Sequence, residues 1–576
     1  MIEDGRRVPE GNVLEADICI IGAGPAGLTL AQEFDEHGLS LILLESGSLE
    51  PEPAARALFT AEADPDPGLD LYPDITSLRD AGIGGTARQW CIEIDGRIWT
   101  RLATLDALDY RARDWLPWSG WPIDEKILAP YLVRALRRAG CETASFDPQA
   151  WADAGRNGFR FADGGIEPAH FLFSPQDAFT RDARIALEAS ANVRCLTTSC
   201  AVALESGPLA DAVSAVRVRC LGGGGFRVRA REVVLAQGGF EVPRLLLASS
   251  EVAPAGLGNA HGHVGRFLMD HQIVNAGTLR APGGGMPAGA GAYDLQRHGA
   301  NHGLPSFRLA ATVRERESLL SAATLLLPRT RRSVRRRIQR PFGRGVTWRS
   351  PARHALHQLR SGARMGNPAG PLEKLRLLGR IATGFDDVVY HHTRYRQLFR
   401  AAFDIDHGGW SALADRDSRF DGLDVFLLCE QAPDPDNRIT LGTERDALGV
   451  PRAQVRFRWN AIDQRSVARS QELLAATLAS NNIGELRFDR RDGVPLVTQM
   501  STHHPAGTAR MAASPRDGVV DPQCRVHGVR NLHIASSAVF PTAGDANPTL
   551  TIIALAIRIA DTIAAGLRDA TGRPGG

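Results

Sequence analysis

Apolar and polar positions along this chain alternate between two rhythms, and the first clear switch lies near the N-terminus. Asp17 to Ile21 is a continuous apolar run, the mark of a strand buried on both faces. Leu30 and Phe34 then sit four apart, on one face of a helix that Gly38 is placed to stop. Ser40 to Leu44 is a second apolar strand, ending at Glu45. Strand-like runs resume at Val193–Thr197, Ala201–Leu204, Ala215–Cys220 and, after a Gly222–Gly225 turn, Phe226–Ala230. Glu232 to Ala236 predicts another buried strand, followed by Gly238-Gly239 and a helix-like EVPRLLLAS. Val425–Gln431, Arg438–Leu441 and Ala453–Trp459 read as antiparallel strands joined by Pro/Asp/Asn turns. Asn531–Ala535 is a short late strand, and Pro548 opens a long apolar helix at a position where proline is tolerated.

These elements predict an α/β protein in three stretches. A Rossmann-like dinucleotide-binding domain spans residues 14–270, with a cap or excursion at about 100–190. A substrate domain on an antiparallel sheet follows at 271–500, and a returning segment at 501–570 rejoins the first sheet. The cap region is expected to carry no chemistry, its tryptophans serving as packing.

Between the first two strands lie Gly22, Gly24 and Gly27 in G-x-G-x-x-G spacing. The first allows the tight turn, the second lets a pyrophosphate approach the backbone, and the third lets helix and strand pack closely. Glu45 is placed to accept ribose hydroxyls. In GIGGTARQW, Gly84, Gly85 and Thr86 allow close approach to a flat cofactor, and Gly238 opens the second strand–glycine–helix unit. This pattern specifies a dinucleotide without distinguishing nicotinamide from flavin.

Composition narrows the picture. The 576 residues carry a formal net charge of +2, so no global attraction to nucleic acid is expected. Lys126 and Lys374 are the only lysines, and arginine supplies the remaining positive charge. Arg329 to Arg400 concentrates it, which admits an interaction protein binding an anionic partner through that segment. The eight cysteines form no C-x-x-C pair and predict buried free thiols in a reducing cytoplasm, with no metal site. Leu550 to Leu567 carries Arg558 and Asp561 and predicts a buried helix rather than a membrane span.

With GIGGTARQW, EVVLAQGGFEVPRLLLAS, VGRFLMDH, EQAPDPDNRITL and STHHPAGTARM in this order, the chain resembles the glucose–methanol–choline (GMC) oxidoreductases. The likeness leans toward the bacterial branch related to pyranose oxidase. The resemblance implies FAD, a small-molecule sugar, glycoside or polyol substrate, and oxidation of a CH–OH group. It assigns His504 as base and Asn547 as its partner, with Ser537, Pro548 and Thr549 near the cofactor and Gln431 near the substrate. Hydride would pass to flavin N5, while His504 takes the hydroxyl proton. His503, His527 and His533 are expected to be structural. Some relatives hold FAD covalently through a histidine before the tryptophan of the glycine-rich motif. Gln89 stands there, which implies non-covalent FAD. Many relatives have Asp where Ala535-Ser536-Ser537 stands here. The family also includes lyases, a second reading of the same scaffold, and no motif encodes the electron acceptor.

Overall fold

The protein is described here from a computed structural model. It covers residues 1–330 and 409–571, less 65, 67–71, 73–74, 95, 142–143, 152–157, 415, 489, 492–493 and 500. Between these spans it covers 355–356, 359, 370–383 and 385. Most of the arginine-rich segment therefore lies outside the described residues. Arg329, at its head, pairs with Asp424 at 2.9 Å.

Val13–Ile21 is central to the first sheet, where it runs parallel to Leu41–Leu44 on one side and Gly225–Leu235 on the other. Val193–Thr197 and Ile2–Asp4 extend the parallel set outward. Ile18, Cys19 and Ile20 have no exposed surface, which is why the run lacks alternation. Along its other edge Gly225–Leu235 serves two further partners. Its first half pairs antiparallel with Val213–Cys220, and its second half pairs parallel with Leu532–Ile534. The two strands expected at Phe226–Ala230 and Glu232–Ala236 are thus one. Arg231 between them reaches outward to Asp17 at 3.2 Å, so its charge does not interrupt the ladder.

Helix Pro25–Glu36 covers this sheet and packs on the C-terminal helix Thr549–Thr571, which in turn packs on Glu125–Arg138. Long and apolar enough to cross a membrane, the C-terminal helix is instead core here. Leu550, Ile553, Leu555, Ile557 and Ile559 are all at most 1% exposed.

The second sheet is antiparallel. Its main path runs Val494–Gln499, Gln272–Arg280, Phe420–Cys429, Ala322–Thr330, Asn301–Leu309, Ile166–Pro175, Arg97–Leu102, Ile92–Ile94. The region expected as a cap therefore contributes strands to the substrate-domain sheet, through pairings between distant segments that no local pattern specifies. Conversely, Arg438–Arg445 and Pro451–Arg456 leave this sheet. They form a small separate one with Ala61–Ala63, which pairs parallel to Pro451–Arg456. Helix Ala461–Ser480, started by an Asn460/Asp463 capping box, packs on the end of the large sheet.

Candidate functional site

A cavity of about 620 Å³ runs between the two sheets, from Gly24 and Glu45 at one end to His504 and Asn547 at the other. Its volume and elongation fit a dinucleotide. The glycines at the first end divide their work as spacing predicts. A side chain on Gly27 would collide with the Gly22 carbonyl oxygen, whereas one on Gly24 would meet no protein atom within 4 Å. Gly24 thus leaves space for a ligand, and Gly27 holds helix against turn. No side chain caps the helix behind Gly24, so its first N–H groups remain available to phosphate.

Glu45 is more committed than expected. Its Oε1 accepts from the Gly47 and Gly82 N–H groups and the Ser46 hydroxyl, and Oε2 accepts from Ala23 N–H at 3.0 Å. Burial pushes its carboxyl pKa up, and these bonds oppose that shift. Glu45 first braces three loops, leaving Oε2 one lone pair for a ribose hydroxyl. Gly85 and Thr86 line the cavity. Gly84 does not: it sits behind them in the left-handed region (φ 102°), its N–H donating to Ala23 O at 2.8 Å. Gly238, Ser537, Pro548 and Thr549 line the cavity, as does Gln89, whose Nε2 donates to Arg79 O.

At the far end, Asp270 organises the loop that carries His504. Its carboxylate accepts from the Ser501 hydroxyl at 2.6 Å, from the His271, Thr502 and His504 N–H groups, and from the Tyr72 hydroxyl. His271 then fixes the proton on His504. The Nε2 of His271 lies 2.9 Å from the Gly544 carbonyl oxygen, which can only accept, so Nε2 carries the hydrogen. Neutral His271 must therefore accept at Nδ1, where His504 Nδ1 lies 2.9 Å away. His504 consequently carries its hydrogen on Nδ1, shared with the Thr502 hydroxyl at 2.8 Å. Its Nε2 is left as a lone pair, receiving the Asn547 Nδ2–H at 3.2 Å.

Burial, reinforced by the Arg101 charge and by the neighbouring imidazoles of His271 and His503, holds the His504 pKa well below the ordinary histidine value. His271 is lowered too, chiefly by burial. Both rings are neutral at pH 7, as the tautomer argument requires.

A buried charge network supports the segment that carries Asn547. Asp545 accepts from Arg308 at 2.9 Å and from the Ser321 hydroxyl at 3.0 Å. The Ser321 N–H donates to Glu430, which in turn holds Arg113 through two bonds of 2.6 and 3.0 Å. The segment Gly544–Asn547, which supplies both the carbonyl for His271 and the amide for His504, is thereby fixed. Asn547 Oδ1 has no partner and lines the cavity. An orphaned buried acceptor of this kind awaits a donor from a bound molecule.

Gln431, expected near the substrate, is corrected by the structure. It is fully buried and does not line the cavity; its Oε1 accepts from Asp270 N–H and its Nε2 donates to Arg458 O. His527 and His533 bond to Ala512 O and Glu232, away from the site. Sequence reasoning missed Asp270 and His271, although three polar residues in a row inside the otherwise apolar run FLMDHQIV are themselves a signal. It also missed Arg101, which lines the cavity from the region expected to carry no chemistry.

Residues 433–556 match the family model described as GMC oxidoreductase, and residues 15–62 match an FAD binding domain. Residues 433–556 are thus a GMC oxidoreductase domain. The cavity that these two segments line is accordingly an FAD site. The fructose dehydrogenase large subunit of Gluconobacter japonicus is 26% identical over 339 residues, 58% of this chain and 48% of that one. The C-glycoside 3-oxidase of Microbacterium trichothecenolyticum is 31% identical over 163 residues, 27% of this chain and 31% of that one. The chain thus spans about half the length of the fructose dehydrogenase subunit and less of the oxidase. A fungal aryl-alcohol oxidase structure aligns over 96% of this chain and 99% of its own at 16% identity, with a TM-score of 0.49.

Proposed function

We propose that this protein oxidises a CH–OH group of a sugar, glycoside or related polyol, with His504 as general base and FAD held non-covalently. The observation that carries the reading is the proton inventory at the far end of the cavity. His504 presents a lone pair at Nε2, and that tautomer follows from the Gly544 carbonyl through His271.

Bound FAD supplies the hydride acceptor. The chain does the rest. A substrate hydroxyl entering between His504 Nε2 and Asn547 gives its proton to Nε2, while Asn547 bonds the same oxygen. As Nε2 gains the proton, the positive charge is shared through Nδ1–H with His271 and Thr502. The Asn547 side chain stands directly before the helix that begins at Thr549, so the dipole end of that helix opposes negative charge developing nearby. Water has little access, since His271, Asp270 and Gln431 behind the base are at most 1% exposed.

The sugar class is supported by what the related proteins are named for. Non-covalent attachment is supported by Gln89, whose amide is no nucleophile and is tied to the Arg79 backbone. The test is anaerobic mixing of the yellow holoenzyme with sugars, glycosides and simple polyols, in wild type and His504→Ala. Bleaching by one of them, slowed about 10²–10⁴-fold in the variant while FAD stays bound, is expected. A variant that bleaches at the wild-type rate refutes the assignment of the base.

A further inference from the structure

Among the described residues, Arg101 is the one cation at the catalytic end of the cavity, and none of them serves as its counterion. It stands on strand Arg97–Leu102 of the substrate-domain sheet and lines the cavity together with Cys91, Trp99 and His504. Its guanidinium packs over the Phe171 ring at 5.4 Å and makes no hydrogen bond or ion pair with any described residue. The acidic residues lining the same cavity are occupied elsewhere. Glu45 is held by backbone N–H groups, Asp80 pairs with Arg88, Glu241 with Arg79 and Arg244, and Asp446 with Arg244. Nor is Cys91 a thiolate partner: it is exposed, and desolvation raises its thiol pKa rather than lowering it. The protein packed around it lowers the Arg101 pKa to about 10, although the side chain is only half-buried in the cavity wall.

A half-buried guanidinium that lines a cavity without an anion gains most when a bound ligand shuts out water and brings one. We infer that Arg101 is the anion-recognition residue of this site, and that the substrate carries a carboxylate or phosphate within reach of the hydroxyl to be oxidised. Aldonates, uronates and sugar phosphates have that chemistry. The planar fork of arginine suits bidentate contact with either group, and Phe171 beneath it fixes its plane. This inference rests on the oxidation reading above and narrows its substrate class.

The arrangement also links recognition to base strength. His504 is faced by the rings of His271 and His503, by the Asp270 carboxylate that holds its backbone N–H, and by Arg101, whose positive charge weakens its hold on a proton. An anion seated on Arg101 offsets that charge, so the correct substrate strengthens the base that deprotonates it. A neutral sugar in the same cavity leaves the base weakened.

Two measurements on the holoenzyme test this. In the first, acetate and inorganic phosphate are titrated separately into oxidised enzyme while the visible flavin spectrum is followed. Binding of at least one is expected, weakened roughly 10- to 100-fold in Arg101→Met. The anion that binds more tightly identifies carboxylate or phosphate as the recognised group. In the second, gluconate, glucuronate and glucose 6-phosphate are compared with glucose as anaerobic reductants of the flavin. An acidic member should reduce it roughly 10- to 100-fold faster, and Arg101→Met should erase that ratio while Arg101→Lys keeps part of it. If Arg101→Met does not retain flavin, Arg101→Lys decides, since it keeps the charge and loses the fork. Glucose reducing the flavin as fast as the acids, or a ratio unchanged by substitution, overturns the inference. If no compound of any charge bleaches the flavin, the oxidation reading fails. The titration then still decides Arg101: anion binding lost on substitution upholds it, and equal binding in wild type and variant overturns it.

Discussion

Replacing His271 by Leu probes the proton arrangement without touching the cavity wall, because His271 is 1% exposed and does not line the cavity. The substitution removes the acceptor that His504 Nδ1–H meets at 2.9 Å, but leaves the Thr502 hydroxyl at 2.8 Å. Loss of one buried hydrogen bond with a second acceptor still present costs about 1–1.5 kcal/mol. At 1.36 kcal/mol per decade, this lowers the ratio of reactive to unreactive His504 tautomer roughly tenfold and withdraws a similar stabilisation from the imidazolium that forms as Nε2 takes the proton. In stopped-flow reduction of the flavin under anaerobic conditions, the limiting rate should fall by about that factor, with little change in KM. The effect is well short of the loss expected from removing His504 itself. His271→Gln should recover part of the rate, since its amide can accept from His504 and donate to Gly544 O. A merely structural role for His271 would not give that rescue, nor would it alter the His504 ring. With 15N-labelled histidine, His504 should show a protonated Nδ1 and a lone pair at Nε2 in wild type, and a mixture in the Leu variant. A wild-type rate in His271→Leu, or a proton on Nε2 in the parent protein, refutes the reasoning.

Three further outcomes follow from the same geometry. Asp270→Asn sets an amide N–H against a set of donors that the carboxylate now satisfies, so it should cost about 2–4 kcal/mol and lower the flavin-fluorescence melting midpoint by several degrees; an unchanged midpoint refutes the organising role. The depressed pKa of His504 keeps its lone pair available into the acidic range, so the acid limb of flavin reduction should lie below pH 6.5, and a limb at or above that value contradicts the assignment. The sign for stability is opposite: the unfolded chain takes up protons near 6.5 that folded His504 and His271 refuse, so both subtract stability as pH falls through that value. Finally, Gly24→Ala should fold with normal secondary structure but lose FAD on gel filtration, whereas Gly27→Ala, colliding with the Gly22 carbonyl, should impair folding itself; equal behaviour of the two would refute the division of labour between them.

What the sequence revealed and what it hid follow from range. The unit from Asp17 to Glu45 was legible because its strand, turn, helix and strand are consecutive, and the pattern that buries them is local. His504 and Asn547 were legible as motif positions, and the structure brings them within 3.2 Å of one another. The proton held by His271 was not, since it depends on a carbonyl 273 residues away in sequence. Gln431 looked available as a polar side chain near a family motif, but both ends of its amide are used inside the scaffold. Gly84 belonged to the correct loop, yet its φ of 102° serves the turn and not the ligand. Arg101 was overlooked because the strand that carries it pairs with Ile166–Pro175, and no periodicity within either segment names the other.

The double service of strand Gly225–Leu235 has a consequence for how the chain comes to be folded. Half of that strand finds its neighbour at once, in the adjoining hairpin, but the other half waits for Leu532–Ile534, about 300 residues later. During synthesis the first sheet therefore stands with an open parallel edge while more than half of the protein is still being made. Helix Pro25–Glu36 meanwhile lacks the apolar cover that Thr549–Thr571 later supplies. Such long-range closure is slow, and an unpaired edge beside uncovered apolar surface is where chains aggregate. Recovery of native protein from the ribosome should accordingly depend on holding chaperones and on cofactor supply, because FAD binds only the closed form and draws the late segments home by mass action.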